Sequence, residues 1–308
     1  MLDLTVQLAP AHPKGLLLAN PVMTAAGTFG YGTEYSQVVD LQKLGAVVSK
    51  GTTLKPREGN LQPRLIETAS GILNSVGLQN IGIDAVIEEK APVWAQWQVP
   101  VIVNIAGETI EEYAQIAAKL EGIAGISGIE VNISCPNIAS GGVEFGINPR
   151  AAAEVTAAVK SASSLPIMVK LSPNVTDIGE IALAVCKAGA DAITLINTMR
   201  GMAIDINSRR PSLGNRIGGL SGPAIKPIAL YMVYRTAEVV DIPIIGCGGI
   251  TCAEDALEFL MAGASAIQVG TANLTSPQAA LRVLDGIKQF MKKENIQDIK
   301  AMVGKARS

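Results

Sequence analysis

The stretch IMVKLSPNVTDIGEIALAVCKAGADAITLI, residues 167–196, contains a complete strand–helix–strand unit. Two short runs rich in Val and Ile, at 167–171 and 192–196, flank an alanine-rich segment of helical composition at 178–188. Parallel strands that are buried on both faces form continuous apolar runs of this kind, and helices connect them. The unit therefore predicts a parallel sheet that is covered by helices.

The same alternation extends along most of the chain. Eight apolar segments are candidate strands: 21–24, 45–49, 101–105, 129–133, 167–171, 192–196, 242–245 and 266–269. Segments of helical composition lie between most of them, at 109–120, 149–161, 178–188, 222–240 and 253–261. Eight βα units in 308 residues predict an α/β fold of the TIM (β/α)8 barrel type, with residues 1–308 forming a single domain. A doubly wound open sheet is also compatible with this alternation.

Two segments interrupt the repeat, because more than one helix follows candidate strands two and six. They span residues 51–98 and 199–241, and no break in composition marks either one as a second domain. In a barrel they would extend from the catalytic rim. Long loops of this kind are usually lids or binding loops, so we expect both segments to contribute to a ligand site.

The composition argues against several classes of protein. The 25 Lys and Arg residues balance 27 Asp and Glu residues, and no basic tract is present that could follow a phosphate backbone, so nucleic acid is not an expected partner. There is no 18-residue uncharged run and no basic region before an apolar stretch, which argues against membrane spans and signal peptides. We expect a soluble cytoplasmic protein.

Cysteine and histidine usage restricts the chemistry further. The four cysteines, Cys135, Cys186, Cys247 and Cys252, include no Cys-x-x-Cys pair, and no further metal ligands accompany the close pair at 247 and 252. No metal site is expected, and the last three cysteines are predicted to be small buried residues. His12 is the only histidine and precedes a proline near the N-terminus, so a catalytic triad with a histidine base is improbable. Proton transfer must use other groups.

Polar residues gather at the predicted carboxyl ends of the strands, where the active site of a TIM barrel lies. Each could merely cap a strand or the next helix, but together they predict one shared cavity. The strand ends are Ala26-Gly27-Thr28, Lys50-Gly51, Asn104, Asn132 to Asn137, Lys170, Asn197-Thr198, Gly248-Gly249 and Gly270-Thr271.

The two glycine clusters follow strands seven and eight, where barrel enzymes commonly bind phosphate with backbone N–H groups. A Gly-Gly pair often marks only a tight turn, but both clusters together predict a phosphorylated ligand such as flavin mononucleotide (FMN). Lys50 and Lys170 would then lie near N1 and O2 of its ring, where negative charge accumulates on reduction. For Lys170, residues 168–172 offer no adjacent acid as an alternative partner.

Seven motifs, in order, resemble the class 1 dihydroorotate dehydrogenases: NPVMTAAGTFG (20–30), NSVGLQN (74–80), NISCPN (132–137), KLSPN (170–174), INT (196–198), GLSGPAIK (219–226) and GTAN (270–273). The resemblance covers the chain from about residue 3 to the last βα unit. It implies an FMN enzyme that oxidises dihydroorotate to orotate in pyrimidine biosynthesis. One position departs from the pattern, because many relatives carry serine where this chain has Ala26.

The resemblance also implies roles for individual residues. Cys135 would be the base that removes the C5 proton of dihydroorotate, and an ordinary thiol with a pKa of ~8.5 would make the rate rise with pH. Amide side chains suit a ring that both donates and accepts hydrogen bonds. The implied substrate-binding residues are Lys50, Asn74, Ser75, Val76, Gly77, Leu78, Asn132, Asn137, Asn197 and Thr198. The implied cofactor-binding residues are Ala26, Lys50, Gly51, Asn104, Asn132, Lys170, Ile196, Gly222, Gly248, Gly249, Gly270 and Thr271.

A more specific resemblance, to one class within this family, concerns the electron acceptor. Gly141-Gly142, Phe145-Gly146 and Asn197-Thr198 are more similar to the NAD-linked class 1B catalytic subunit than to the fumarate-linked class 1A enzyme. Class 1B subunits work with a second chain that carries FAD and a [2Fe–2S] cluster. The resemblance therefore implies a homodimer within a heterotetramer, with NAD⁺ as the final acceptor. The chain has no cluster-binding cysteine set, so we expect it to be unable to use NAD⁺ alone.

Other functions remain open from the sequence. A dihydropyrimidine dehydrogenase-like flavoenzyme shares the cysteine and asparagine pattern, whereas a tRNA-dihydrouridine synthase would need a basic RNA-binding surface, which the composition does not suggest. A non-enzymatic barrel that senses FMN or a nucleotide would keep the glycine clusters. Such a sensor would have no need for Cys135.

Overall fold

Strands and helices alternate in the computed structural model, which describes residues 2–134, 136–137 and 143–307. The strands are β1 (Val6–Gln7), β2 (Leu17–Leu18), β3 (Val22–Thr24), β4 (Val47–Val48), β5 (Leu65–Thr68), β6 (Gly71–Asn74), β7 (Val101–Ile105), β8 (Gly128–Asn132), β9 (Pro136–Asn137), β10 (Val143–Glu144), β11 (Ile167–Lys170), β12 (Ala192–Leu195), β13 (Met199–Gly201), β14 (Ile204–Asp205), β15 (Arg210–Pro211), β16 (Gly218–Ser221), β17 (Ile244–Cys247) and β18 (Ala266–Val269).

The helices cover the outer face of the sheet that eight of these strands form. They are α1 (Ile83–Ala85), α2 (Ala91–Trp94), α3 (Ile110–Leu120), α4 (Pro149–Ala162), α5 (Ile178–Lys187), α6 (Lys226–Ala237), α7 (Ala253–Ala262), α8 (Ala272–Thr275) and α9 (Ala279–Lys293). A π-helical turn, Val86–Lys90, joins α1 to α2. Short 3₁₀ turns occupy Leu41–Lys43, Phe145–Ile147, Pro223–Ile225, Ile299–Met302 and Lys305–Arg307.

Eight parallel strands form a closed barrel in the order β3-β18-β17-β12-β11-β8-β7-β4. The ring closes between β3 and the start of β4, where the Gly45 N–H donates to the Val22 carbonyl at 2.7 Å and the Thr24 N–H donates to the Ala46 carbonyl at 3.2 Å. Each barrel strand overlaps one of the eight predicted segments. The prediction of a TIM barrel is therefore confirmed, and the open-sheet alternative is wrong because β3 is paired on both sides.

The sequence of α4 explains where this helix starts and how it packs. In α4, the Asn148 side chain accepts the N–H groups of Arg150 and Ala151 at 2.9 and 3.1 Å, and Pro149 occupies the first helical position. The same helix buries Ala152, Val155, Thr156 and Val159, which recur at helical spacing. This burial fixes α4 against the barrel and so sets the position of β11, which follows it.

Residues 51–98 and 199–241, which the sequence predicts only as long loops, contain the strands of a second sheet. Its antiparallel order is β13-β16-β6-β5, and β16 from the second segment pairs with β6 from the first. The strands are short and glycine-rich, and none has a fully buried face, so their sequences lack a strand pattern. The two interruptions of the repeat therefore stabilise one another beside the barrel mouth.

Three cysteines test the prediction of burial. Cys247 is buried and Cys186 is half-buried, but Cys252 is exposed, so the prediction is wrong for Cys252. The reason is its position immediately before α7, where a residue caps the helix end and faces solvent. Within the described residues, no helix is long and apolar enough to cross a membrane.

Asp255 holds the turn that follows β17. Its Oδ2 accepts the Thr251 N–H at 2.8 Å, the Thr251 hydroxyl at 2.7 Å and the Cys252 N–H at 3.2 Å, and its Oδ1 accepts from Lys226 Nζ at 2.7 Å. Burial opposes the negative charge, but the hydrogen bonds from Lys226 and Thr251 outweigh it and lower the pKa of Asp255 to about 2. The carboxylate therefore fixes the turn between β17 and α7.

We expect Asp255→Asn to lower the free energy of unfolding at pH 7 by roughly 1–3 kcal/mol, because the donors around this buried side chain lose their charged acceptor. The pKa of this carboxyl is depressed in the folded state, so its contribution is complete above its ordinary value of 3.8 and is lost as the pH falls towards about 2. Urea unfolding of both proteins at pH 7 and at about pH 3 should show the difference shrinking. Glu258→Gln is the control, since Glu258 meets the same lysine from an exposed position. A difference independent of pH would contradict this account.

Candidate active site

A cavity of about 1020 Å³ opens at the carboxyl ends of the barrel strands. Residues from the barrel form its floor, and the second sheet with its connecting loops forms one wall. Ligand pockets usually measure about 300–1,000 Å³, so this cavity is large enough for a cofactor together with a small substrate.

The structure brings nearly all the predicted site residues together around this cavity. Those that line it are Ala26, Lys50, Gly51, Asn74, Ser75, Val76, Gly77, Leu78, Asn104, Asn132, Lys170, Ile196, Asn197, Thr198, Gly222, Gly248, Gly249, Gly270 and Thr271. Cys135 and the Gly141-Gly142 pair lie outside the described residues. Asn137 is located by its backbone in β9, where it pairs with Val143.

Glycines form the part of the wall that follows β17 and β18. Gly248 and Gly249 have φ angles of +133° and +75°, and a Cβ on Gly249 would lie 2.7 Å from the Lys226 Cβ and 2.9 Å from the Lys226 nitrogen. Gly222, with φ +93°, would bring a Cβ to 2.8 Å from the Gly71 Cα. Side chains are therefore excluded from Gly249 and Gly222, and the backbone itself faces the cavity.

The two lysines have different environments. Lys50 is half-buried, and its Nζ forms no hydrogen bond or ion pair with any other described residue. Lys170 is 5% exposed, and its Nζ donates to Gln268 Oε1 at 3.3 Å and to Cys247 Sγ at 3.9 Å. Burial opposes the charge on Lys170, but Cys247 and Glu130 favour it, and the balance raises the pKa of the ammonium group. Both lysines therefore supply positive charge to the cavity.

Amide side chains tie the ends of β8 and β12 together. Asn197 Nδ2 donates to Asn132 Oδ1 and to Ser134 Oγ, both at 3.0 Å, and Asn197 Oδ1 accepts the Thr198 N–H at 2.8 Å. Asn74 extends this arrangement from the second sheet, since its Nδ2 donates to the Gly219 carbonyl at 3.0 Å. The amides are thus held in fixed orientations, as recognition of a planar polar ring requires.

The charges that line the cavity favour an anionic ligand. Five basic residues contribute to the lining, against Glu144 as the only carboxylate among the described lining residues. Arg200 is paired with Glu144 at 2.8 Å, and Arg57 is paired with Glu108 at 2.6 Å. Lys50, Arg64 and Lys170 form no such ion pair with described residues, so a net positive charge remains.

A layer of buried polar side chains beneath the cavity was not predicted from the sequence. Glu130, Thr194 and Gln268 are each fully buried within barrel strands. The available signal was an acid inside the otherwise apolar run 129–133 and an amide inside 266–269. Although residues 168–172 contain no acid, Glu130 comes close from the neighbouring strand β8, where it lies beside Met168.

Comparison with known proteins identifies the family. The family model described as dihydroorotate dehydrogenase matches residues 10–291. A protein of Desulforamulus reducens named dihydroorotate dehydrogenase B (NAD(+)), catalytic subunit, is 57% identical over 289 residues, which cover 94% of this chain and 95% of that protein. A protein of Geotalea daltonii with the same name is 53% identical over 302 residues, covering 98% of this chain and 97% of that protein.

A solved structure supports the fold. Dihydroorotate dehydrogenase from Eimeria tenella, in complex with ferulenol, superimposes with a TM-score of 0.80 at 22% sequence identity and covers 99% of this chain and 89% of that one. The resemblance found in the sequence motifs is confirmed by the curated relatives, which match almost the full chain. These matches, together with the confirmed TIM barrel, show that the chain belongs to the dihydroorotate dehydrogenase family.

Proposed function

We propose that this chain oxidises dihydroorotate to orotate in pyrimidine biosynthesis, as the catalytic subunit of an NAD-linked dihydroorotate dehydrogenase. The observation that carries the proposal is the positively charged, amide-lined cavity at the barrel mouth of a chain that belongs to this family. Dihydroorotate is an anion whose ring carries carbonyl and N–H groups, and the cavity offers fixed amides beside cations that have no ion-pair partner among the described residues. The names of the relatives support the NAD-linked assignment.

The residues present fit an FMN molecule. The backbone at Gly222, Gly248 and Gly249 is free of side chains that would block a phosphate, and Gly270 and Thr271 complete that part of the wall. Lys170 and Asn104 project from barrel strands into the lining of the cavity, where they would contact the flavin ring. We propose that FMN is held by Ala26, Lys50, Gly51, Asn104, Asn132, Lys170, Ile196 and these glycine clusters. When bound, FMN supplies the acceptor for the hydride that leaves C6 of the substrate.

The remaining chemistry belongs to the side chains of this protein. Formation of the C5=C6 double bond requires loss of a proton from C5, and we propose that the thiolate of Cys135 takes it. Asn74, Asn132, Asn137 and Asn197, with Thr198, would hold the substrate ring so that C5 faces this base. Lys50 has no competing partner among the described residues and would bind the substrate carboxylate.

We also propose that residues 1–308 form one FMN-binding domain and that the chain works as a homodimer within a heterotetramer. The partner would carry FAD and a [2Fe–2S] cluster and pass electrons to NAD⁺. The word "subunit" in the names of the relatives supports a separate partner. The Phe145-Gly146 pair is buried, and the Gly146 N–H donates to the Ile133 carbonyl at 2.7 Å. This bond holds the segment near the asparagine side chains that we propose bind the substrate. A cytoplasmic location stays a prediction.

The first experiment tests flavin and substrate together. Purified protein should contain about one FMN per chain, and anaerobic dihydroorotate should bleach the flavin absorbance while forming orotate. Gly249→Ala should weaken FMN binding at least about tenfold, because the new Cβ would clash with Lys226 at a positive φ. Gly304→Ala is the matched control, since Gly304 has the same φ of +75° but no neighbour within 4 Å. Folded protein that never binds FMN would overturn the proposal, and bleaching by dihydrouracil in place of dihydroorotate would favour a dihydropyrimidine dehydrogenase-like enzyme.

The second experiment tests the base. Cys135→Ala should retain FMN and lower the rate of flavin reduction by dihydroorotate on the order of 10²-fold or more, as loss of a general base does. Cys135→Ser should keep some activity that improves at high pH, because a hydroxyl is harder to deprotonate. Cys252→Ser, which changes an exposed cysteine outside the cavity lining, is the control. Stopped-flow reduction of Cys135→Ala at a near-normal rate would remove this thiol from the mechanism.

The third experiment tests the electron acceptor. The isolated chain should reduce an artificial dye with dihydroorotate but should gain NAD⁺ activity only when it is co-expressed with an FAD and iron–sulfur subunit. Initial rates with NAD⁺ and with fumarate, measured with and without the partner, separate the two classes. Rapid fumarate reduction by the chain alone, with no NAD⁺ activity gained from the partner, would indicate a fumarate-linked class 1A enzyme.

A further inference from the structure

Glu130 is a fully buried carboxylate that the proposed mechanism does not use. It lies in β8 and receives hydrogen bonds from three neutral donors on three other barrel strands. Asn104 Nδ2 of β7 donates to Oε1 at 2.8 Å, while Thr194 Oγ1 of β12 and Gln268 Nε2 of β18 donate to Oε2 at 2.9 and 2.5 Å. Since β18 is not a neighbour of β8, this carboxylate bridges the interior of the barrel.

Two of these donors connect Glu130 to the cavity: Asn104 lines it directly, and Gln268 contacts Lys170, which lines it. Asn104 and Lys170 both line the cavity, and Gln268 links Glu130 to Lys170 because its Oε1 accepts from Lys170 Nζ at 3.3 Å. An amide group has one donor side and one acceptor side. The bond from Gln268 Nε2 to Glu130 therefore turns Gln268 Oε1 towards the ammonium group of Lys170.

The same constraint acts on Asn104. Its Nδ2 is committed to Glu130, so its Oδ1 points the other way, and a Cβ placed on Gly51 would lie 3.1 Å from that oxygen. Gly51 also lines the cavity. A purely accepting group such as a carboxylate is thus the only kind of side chain that can fix both amides in these orientations at once.

We propose that Glu130 is a positioning residue for FMN: by accepting from Asn104 and Gln268, it presents the Asn104 oxygen and the Lys170 ammonium to the cofactor. The proposal rests on the proposed function in taking FMN as the ligand of this cavity. The charge of Glu130 also contributes to raising the pKa of Lys170, which keeps that ammonium protonated.

Substitution of Glu130 tests the proposed positioning role directly. In Glu130→Gln, the new amide has one donor end and one acceptor end, so either Gln268 must turn and direct its own donor at Lys170, or Asn104 must turn and lose the orientation of its oxygen. We expect apoprotein carrying this change to bind FMN about tenfold more weakly, as measured by quenching of flavin fluorescence. Thr194→Val is the matched control, because it removes a donor to the same carboxylate while the Thr194 hydroxyl forms no hydrogen bond with Asn104 or Lys170, and it should change FMN affinity less than about twofold.

Exchange of the two residues separates positioning from structural support. In Glu130→Gln/Gln268→Glu, the carboxylate moves next to Lys170, and the amide at 130 donates to it while accepting from Asn104. This double variant should restore FMN affinity to within about threefold of the unchanged protein. If Glu130→Gln does not fold, Gln268→Met replaces it in the test, since that change leaves Glu130 in place but breaks the link to Lys170, and it carries the same tenfold expectation.

The outcomes distinguish this inference from the proposed function. Tight FMN binding by both Glu130→Gln and Gln268→Met would overturn the positioning role and leave the dehydrogenase assignment intact. Weak binding by the exchanged variant would assign Glu130 to structural support only. Absence of FMN binding in the unchanged protein would instead overturn the proposed function, and the positioning role would fall with it.

Discussion

Closure of the parallel ring is the constraint on which the candidate site depends. The short hydrogen bond from the Gly45 N–H to the Val22 carbonyl joins β3 to the segment that enters β4. A Cβ on Gly45 would lie 2.1 Å from the Asn20 carbonyl oxygen, so only glycine allows the two segments to approach at this point. Because every strand in a closed parallel barrel ends on the same side, closure brings eight strand ends around one mouth. Residues that follow the first and last strands of this order, such as Ala26 after β3 and Lys50 after β4, thereby share a cavity.

The interior of the barrel contains an unusual layer of polar side chains beneath this mouth. Barrel interiors are filled mainly by branched apolar side chains, yet here Asn104, Glu130, Lys170, Thr194 and Gln268 form a connected polar layer. Buried polar groups are costly unless each is hydrogen-bonded, and a fully bonded network is rigid. The layer therefore converts part of the core into a platform that holds the cavity floor in one arrangement. In the role proposed for Glu130, stability and ligand positioning would depend on the same hydrogen bonds at this level of the barrel.

The sequence predicts the barrel and the rim residues well, because both are local patterns. A strand such as 167–171 is visible from its own residues, and a polar residue at its end, Lys170, is visible from its place in that strand. The hydrogen-bond network around Glu130 is not visible in this way, since it depends on which side chains meet across the barrel. The second sheet was missed for a related reason: β6 and β16 are separated by more than 140 residues, and neither has an apolar face of its own. The exposed position of Cys252 likewise follows from its place at a helix start.

Asn74 connects the second sheet to the mouth of the barrel. It is the last residue of β6, where its backbone pairs with both Leu65 and Gly219, and its side chain also donates to the Gly219 carbonyl. The side chain that lines the cavity at this point is therefore a part of the sheet that joins the two long segments. A Cβ on Gly219 would lie 2.0 Å from Thr198 Oγ1, which fixes the approach of the sheet to the end of β12. Any movement of the second sheet must consequently displace the amide of Asn74 relative to Asn132 and Asn197, which are anchored in the barrel. Binding of a planar ligand between these amides would in turn hold the second sheet against the barrel, so that ligand binding and the position of this wall of the cavity would be coupled.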